Sequence, residues 1–174
     1  FKEQLDLLPL GKLLLPFEGE GRNAVYAALQ GWEVFAFDFS EAGKEKALQL
    51  AKKHEVSIDY QISTWEAYDF QAESFDMVAL IYAHLPSDKR SLFHAQALKA
   101  LKKGGTLVLE AFNQNQLGKP SGGPQHEYAL FSSAGLKNDF RTLSIAILKE
   151  EESFLSEGIY HVGSAEIVRL VAKK

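Results

Sequence analysis

Residues 18–40 set two glycines and a carboxylate at the spacing a nucleoside cofactor requires. The loop reads Glu18-Gly19-Glu20-Gly21-Arg22-Asn23, and the acid follows seventeen residues past Gly21, in Asp38-Phe39-Ser40. Glycine lets backbone approach a ligand closely, and a helix N-terminus offers free N–H groups. A carboxylate after the next strand accepts hydrogen bonds from both ribose hydroxyls. The chemistry this pattern indicates is the binding of an adenosine-containing cofactor.

Elements that would hold these residues flank them on both sides. Leu13-Leu14-Leu15 reads as a buried strand, 24–29 as a helix with Asn23 as its cap and Gly31 as its stop, and 34–37 as a strand ending on Asp38. Ser40 caps a second helix with Glu41 in its first turn and Ala47, Leu48 and Ala51 on its inner face. A third strand over 58–62 leads into Ser63-Thr64-Trp65, and the fourth, 76–83, is almost wholly apolar, as a parallel strand covered on both faces should be. Ser87 or Asp88 caps a helix with Leu92, Ala95, Leu98 and Leu101 at helical spacing, which Lys102-Lys103-Gly104-Gly105 ends. Strand five is 106–112.

Alternation then stops. Residues 113–127 form a polar loop longer than a connector needs, suited to a lid or an acceptor wall. A short helix is expected near 132–136. Segments 143–151 and 159–172, joined by the turn Leu155-Ser156-Glu157-Gly158, read as an antiparallel hairpin. The fold expected is α/β, a Rossmann-like doubly wound sheet of seven strands, mostly parallel, with an antiparallel C-terminal edge hairpin. Its ligand belongs at the C-terminal strand ends, where the strand order reverses.

Bulk properties narrow the function further. At 174 residues, 46% hydrophobic and 24% charged, residues 1–174 are expected to form one globular domain. A formal net charge of −4 speaks against nucleic acid held on a broad basic surface. The absence of cysteine excludes disulfides, thiolate metal sites and a cysteine nucleophile. Apolar runs such as 77–83 fall far short of the ~20 residues that span a bilayer, and no signal peptide is visible, so a cytoplasmic protein without membrane partners is expected. The start at Phe1 suggests that a short N-terminal piece is missing.

Gly19-x-Gly21-x-x-Ala24 followed by an acid also fits a nicotinamide-dependent oxidoreductase. Against that reading, Glu18 and Glu20 set two carboxylates against one Arg22 where a pyrophosphate would sit. There is also no second domain for a hydride acceptor, and a terminal hairpin is foreign to the dinucleotide fold. S-adenosylmethionine has no phosphate, and its sulfonium and amino groups suit an acidic loop.

The sequence resembles the class I S-adenosylmethionine-dependent methyltransferases, within them a small bacterial group that includes tellurite-resistance-type proteins. Residues 18–26 resemble the first motif of that family, 34–40 the second, 75–86 the fourth and 101–110 the fifth; 122–124 and 157–163 resemble further features of the group. The resemblance implies a cofactor site built from Glu18, Gly19, Glu20, Gly21, Asn23, Asp38, Phe39 and Ser40, with Thr64 and Trp65 at the adenine-facing turn and Tyr82 after the fourth strand. It implies transfer of a methyl group to a small-molecule acceptor. Leu15 stands where the family has an aspartate and Phe17 where it has its first glycine, so either Glu18 substitutes for the acid or the cofactor binds more weakly. That departure keeps a non-catalytic cofactor-binding module open as an alternative.

Several candidates carry two readings. Asp38 is a ribose ligand or a helix-start acid, and Trp65 and Tyr82 are cofactor-facing or core aromatics. His84 accepts a proton from the nucleophile, or is a loop histidine bonded to backbone. His161 reaches the active-site mouth from the hairpin turn as a candidate catalytic or substrate group. His54, His94 and His126 lack metal-ligand spacing, and no metal is expected.

Overall fold

The computed structural model describes residues 1–156 and 162–174. The elements are α1 (Lys2–Leu7), β1 (Lys12–Pro16), α2 (Arg22–Leu29), β2 (Glu33–Asp38), α3 (Glu41–Lys53), β3 (Asp59–Ile62), β4 (Phe75–Ile81), α4 (Ser87–Ala100), β5 (Leu101–Phe112), α5 (Ser133–Asp139), β6 (Ser144–Ser156) and β7 (Val162–Lys173). They build one seven-stranded sheet in the order β3-β2-β1-β4-β5-β7-β6. The pairs among β1 to β5 are parallel; β5–β7 and β6–β7 are antiparallel. The direction of winding reverses between β1 and β4, and the glycine loop leaves the C-terminal end of β1 at that point.

Strand alternation, with both sheet faces covered, explains why residues 13–15 of β1 must all be apolar. Leu14 packs with Phe37, Phe70, Phe93 and Leu80 on the α4–α5 face, while Leu13 and Leu15 pack with Ala24, Val25, Ala27 and Ala47 on the α2–α3 face. All three leucines are buried.

The structure corrects several boundaries. Gly21 caps α2, one turn residue before Arg22, so Asn23 lies inside the helix. On α4 the buried side is Phe93, His94, Ala97 and Ala100, while Leu92 and Ala95 face solvent. The larger Phe93 takes the core, where it meets Phe17 and Trp65. Leu48 is exposed on α3, and β5 already begins at Leu101, so the Lys-Lys-Gly-Gly segment belongs to the strand. The first hairpin strand runs into the expected turn, to Ser156, and the second is described from Val162. α1 had no sequence signal: Phe1, its N-cap, gives it no side-chain cap bond, and Leu5 is its one buried residue.

The polar loop after β5 is pinned rather than hinged. Buried Asn113 donates to Ile167 O at 3.0 Å and accepts from Asn115 N at 2.8 Å. Buried Gln116 accepts from Glu166 N at 2.8 Å and donates to Ser121 Oγ and Gly122 O, both at 2.9 Å. Buried amides bonded in this way tie Asn113 and Gln116 of the loop to β7 and to the 121–122 turn.

Ser40 caps α3 as its type predicts, its Oγ accepting from Gly43 N at 3.0 Å. Ser40→Ala is expected to destabilise the fold by about 1 kcal/mol. A urea midpoint measures this; an unchanged midpoint would mean that Gly43 N–H finds another acceptor.

Candidate cofactor site

The glycine loop is held by side chains from two strands and by the close packing of α3. Buried Asp38, at the end of β2, accepts from Gly19 N at 3.2 Å with Oδ2 and from Ser40 N at 2.9 Å with Oδ1. Tyr60 of β3 donates its hydroxyl to Gly19 O at 2.6 Å. Gly43 packs so closely that a Cβ there would lie 2.9 Å from Gly19 O. Neither Tyr60 nor Gly43 was legible as a loop brace, although a glycine three residues past a cap serine is a weak sign of close approach.

The two glycines have different reasons to be glycine. Both have positive φ, +60° for Gly19 and +82° for Gly21. Around Gly19 the Cβ direction is open, with nothing within 4 Å. At Gly21 a Cβ would fall 2.5 Å from Ala47 Cβ, so that glycine lets α2 and α3 meet.

Glu18 closes the N-terminus of α2. Its Oε1 accepts from Ala24 N at 2.8 Å, and Oε2 accepts from Asn23 Nδ2 at 3.5 Å. Burial pushes its carboxyl up to about 7, against the opposing pull of the Ala24 and Asn23 N–H groups. Glu20 is exposed and paired with Lys46 of α3 at 2.6 Å, which holds its carboxyl below the usual range. Phe17, standing where the resembling family has glycine, takes φ +55° and packs its ring on Phe37 and Phe93. That left-handed backbone is the physical reason a glycine suits the position, and Phe17 offsets the strain by aromatic packing.

A cleft of about 560 Å³ opens beside the loop, lined by Phe17, Glu18, Gly19, Glu20, Arg22, Asn23, Tyr26, Ile81 and Tyr82, with Lys2 and Ser156 at its edges. A second cavity of about 310 Å³ shares Lys2, Asn23 and Ile81 with it and runs over Val108, Glu110, Arg169 and Ile147. On the β3 side, Phe39 is 68% exposed, Thr64 is exposed, and Trp65 is half-buried with its ring edge on Phe93 at 6.0 Å. Glu18, Gly19, Glu20, Asn23 and Tyr82 therefore share one cleft, whose lining does not include Gly21, Asp38 or Ser40. Phe39, Thr64 and Trp65 lie around the end of β2 and β3, outside that cleft's lining.

His84 takes the second of its two sequence readings. Nδ1–H donates to Ala129 O at 2.8 Å, and Nε2 accepts from Phe112 N at 3.2 Å. With both ring nitrogens bonded to backbone, it joins the end of β4 to β5 and to the 126–131 segment. His161 lies outside the described residues. Buried His94 pairs through Nδ1 with Asp139 at 2.8 Å, tying α4 to α5. Among the described residues no group of three His, Asp or Glu side chains could hold a metal ion, and no helix is long and apolar enough to cross a membrane.

Residues 18–105 match a family model described as a methyltransferase domain, a span that includes the glycine loop, Asp38, Thr64, Trp65 and Tyr82. Comparison with curated proteins gives no sequence match. The structure is similar to that of TehB from Haemophilus influenzae, with TM-score 0.82 and 16% identity; the match covers 99% of this chain but 60% of TehB. An S-adenosylmethionine-dependent methyltransferase from Methanosarcina mazei aligns with TM-score 0.81 and 16% identity, over 100% of this chain and 97% of its own. The [4+2]-cyclase SpnF also aligns, with TM-score 0.72 and 15% identity, over 99% of this chain and 80% of its own. At such identities these are likenesses of fold, and SpnF illustrates that one fold carries more than one chemistry.

Proposed function

The chain belongs to the methyltransferase-domain family, and on that premise we propose that it transfers the methyl group of S-adenosylmethionine to a small-molecule acceptor. The observation that carries this reading is the place of Glu18. A dinucleotide's pyrophosphate binds at the free amides of the helix that follows the glycine loop. Here the Glu18 carboxyl takes the Ala24 N–H at 2.8 Å, so a hydrogen-bond acceptor already fills that place. A cofactor that carries a nucleoside but no phosphate suits the remaining groups.

In this reading Asp38 orients the ribose, Gly19 gives the ligand close access to backbone, and Asn23 and Tyr82 meet the amino-acid end. Phe39, Thr64 and Trp65 flank the adenine, while Glu20, Gly21 and Ser40 hold the loop and its helix in place. S-adenosylmethionine, when bound, supplies an electrophilic methyl: the acceptor's N, O, S or metalloid atom forms the bond to carbon as the C–S pair returns to sulfur, leaving S-adenosylhomocysteine. The chain's own contribution is alignment and exclusion of water by the cleft walls, with no general base supplied by His84. The two neighbouring cavities, about 560 and 310 Å³, suit a small molecule.

Calorimetric titration with S-adenosylhomocysteine and with NAD tests the cofactor. Binding of the first and not the second is expected; binding of NAD alone would overturn the reading. If S-adenosylhomocysteine binds yet thiols, amines, phenols and oxyanions of tellurium all fail to yield it from S-adenosylmethionine, the chain is a binding module rather than an enzyme.

A further inference from the structure

A row of side chains crosses four strands from the cofactor cleft to the outer edge of the sheet. Ile81 of β4 lies opposite Glu110 of β5, Glu110 opposite Arg169 of β7, and Arg169 opposite Lys149 of β6. The two cations that meet at the β7–β6 step are bridged by Glu151, which bonds Arg169 Nη1 and lies 2.9 Å from Lys149 Nζ. Arg169 Nε donates to Glu110 Oε2 at 2.6 Å. The other oxygen of Glu110 accepts from the Tyr82 hydroxyl at 3.3 Å, and its carbonyl accepts from Tyr82 N at 2.7 Å.

Glu110 therefore grips one residue by both side chain and backbone, and that residue is unusual. Tyr82 has φ +52°, a left-handed conformation that side chains other than glycine's seldom adopt, and it lines the cleft at the end of β4. Such a backbone persists only where its surroundings over-determine it, and it is found preferentially at functional sites. Glu110 alone is a long side chain with free torsions. Arg169 and Glu151, fixed on the paired hairpin strands, remove that freedom.

We infer that Glu110 and Arg169 are positioning residues, which hold Tyr82 at the reacting end of the cofactor cleft and so make the C-terminal hairpin part of the site. Glu110 of β5 and Arg169 of β7 both lie outside residues 18–105, the segment matched by the family model. The inference rests on the methyltransferase reading, through the place of Tyr82 beside the cofactor.

A double-mutant cycle on the whole chain tests it, with S-adenosylhomocysteine affinity and melting temperature both measured. Arg169→Met is expected to weaken binding about tenfold in the wild-type background and by less than about twofold in the Tyr82→Phe background, where no hydroxyl remains to be held. The fall in melting temperature should be equal in both backgrounds, because loss of the ion pair itself does not depend on the hydroxyl. Arg169→Lys, which keeps a cation opposite Glu110, should recover most of the affinity. Should Arg169→Met fail to fold, Glu110→Gln replaces it: the amide keeps an acceptor for the hydroxyl but loses the charge on which Arg169 is anchored, and a background-dependent loss is again expected. Equal losses of affinity in both backgrounds would make Arg169 a stability residue and overturn the inference alone. A wild-type chain that binds no S-adenosylhomocysteine would overturn the proposed function, and this inference with it.

Discussion

Asp38→Ala is expected to weaken S-adenosylhomocysteine binding about a hundredfold, equivalent to about 3 kcal/mol, the range of one or two hydrogen bonds to an ionised acceptor. Two effects add. The carboxylate orders the apo loop by accepting from Gly19 N at 3.2 Å and Ser40 N at 2.9 Å. In the proposed complex its remaining lone pairs accept from the ribose hydroxyls. Asp38→Asn separates the two, because the amide keeps one acceptor oxygen and much of the shape but turns a donor toward one N–H. It should bind between wild type and alanine, and melt close to wild type. Calorimetry with the three proteins measures this. Alanine binding within about threefold of wild type would reduce Asp38 to a helix-start acid, the other reading its sequence position allowed.

Strands β1, β2 and β4 were legible because they are built on short apolar runs bounded by glycine, proline or polar residues, and because Asp38 and Ser40 mark a strand end and a cap by residue type alone. What remained hidden depends on contacts far apart in sequence. His84 looked available for chemistry until Phe112 N and Ala129 O, 28 and 45 residues away, engaged both nitrogens. Adjacent Leu92 and Phe93 are equally apolar, and only the ring cluster of Phe17, Trp65 and Phe70 decides which one turns inward. Positive φ at Phe17 and Tyr82 leaves no mark in residue type, since sequence signals for that conformation come from glycine and asparagine. Glu18 is the most instructive case. Its charge beside the glycines was legible as hostile to phosphate, but its capping of a helix that it precedes by four residues was not.

That capping role gives Glu18→Gln a stability effect with a definite pH dependence. Burial raises the folded-state pKa from 4.5 to about 7, so between those values the folded chain holds a proton that the unfolded chain has released. Stability due to this group is therefore full below about pH 4.5 and is lost as pH rises through about 7. The amide has the same shape, accepts from Ala24 N through its oxygen, and does not titrate. The variant should accordingly be more stable than wild type by about 3 kcal/mol at pH 8, with the gap narrowing to about 1 kcal/mol at pH 5. Urea melts of both proteins across that range measure the difference. A gap that does not change with pH would mean that Glu18 stays ionised throughout. A variant less stable than wild type at pH 8 would mean that the attraction between a full negative charge and the α2 amides outweighs the cost of burying it. In either case the helix N-terminus would carry a permanent anion, and the exclusion of phosphate from this loop would be stronger still.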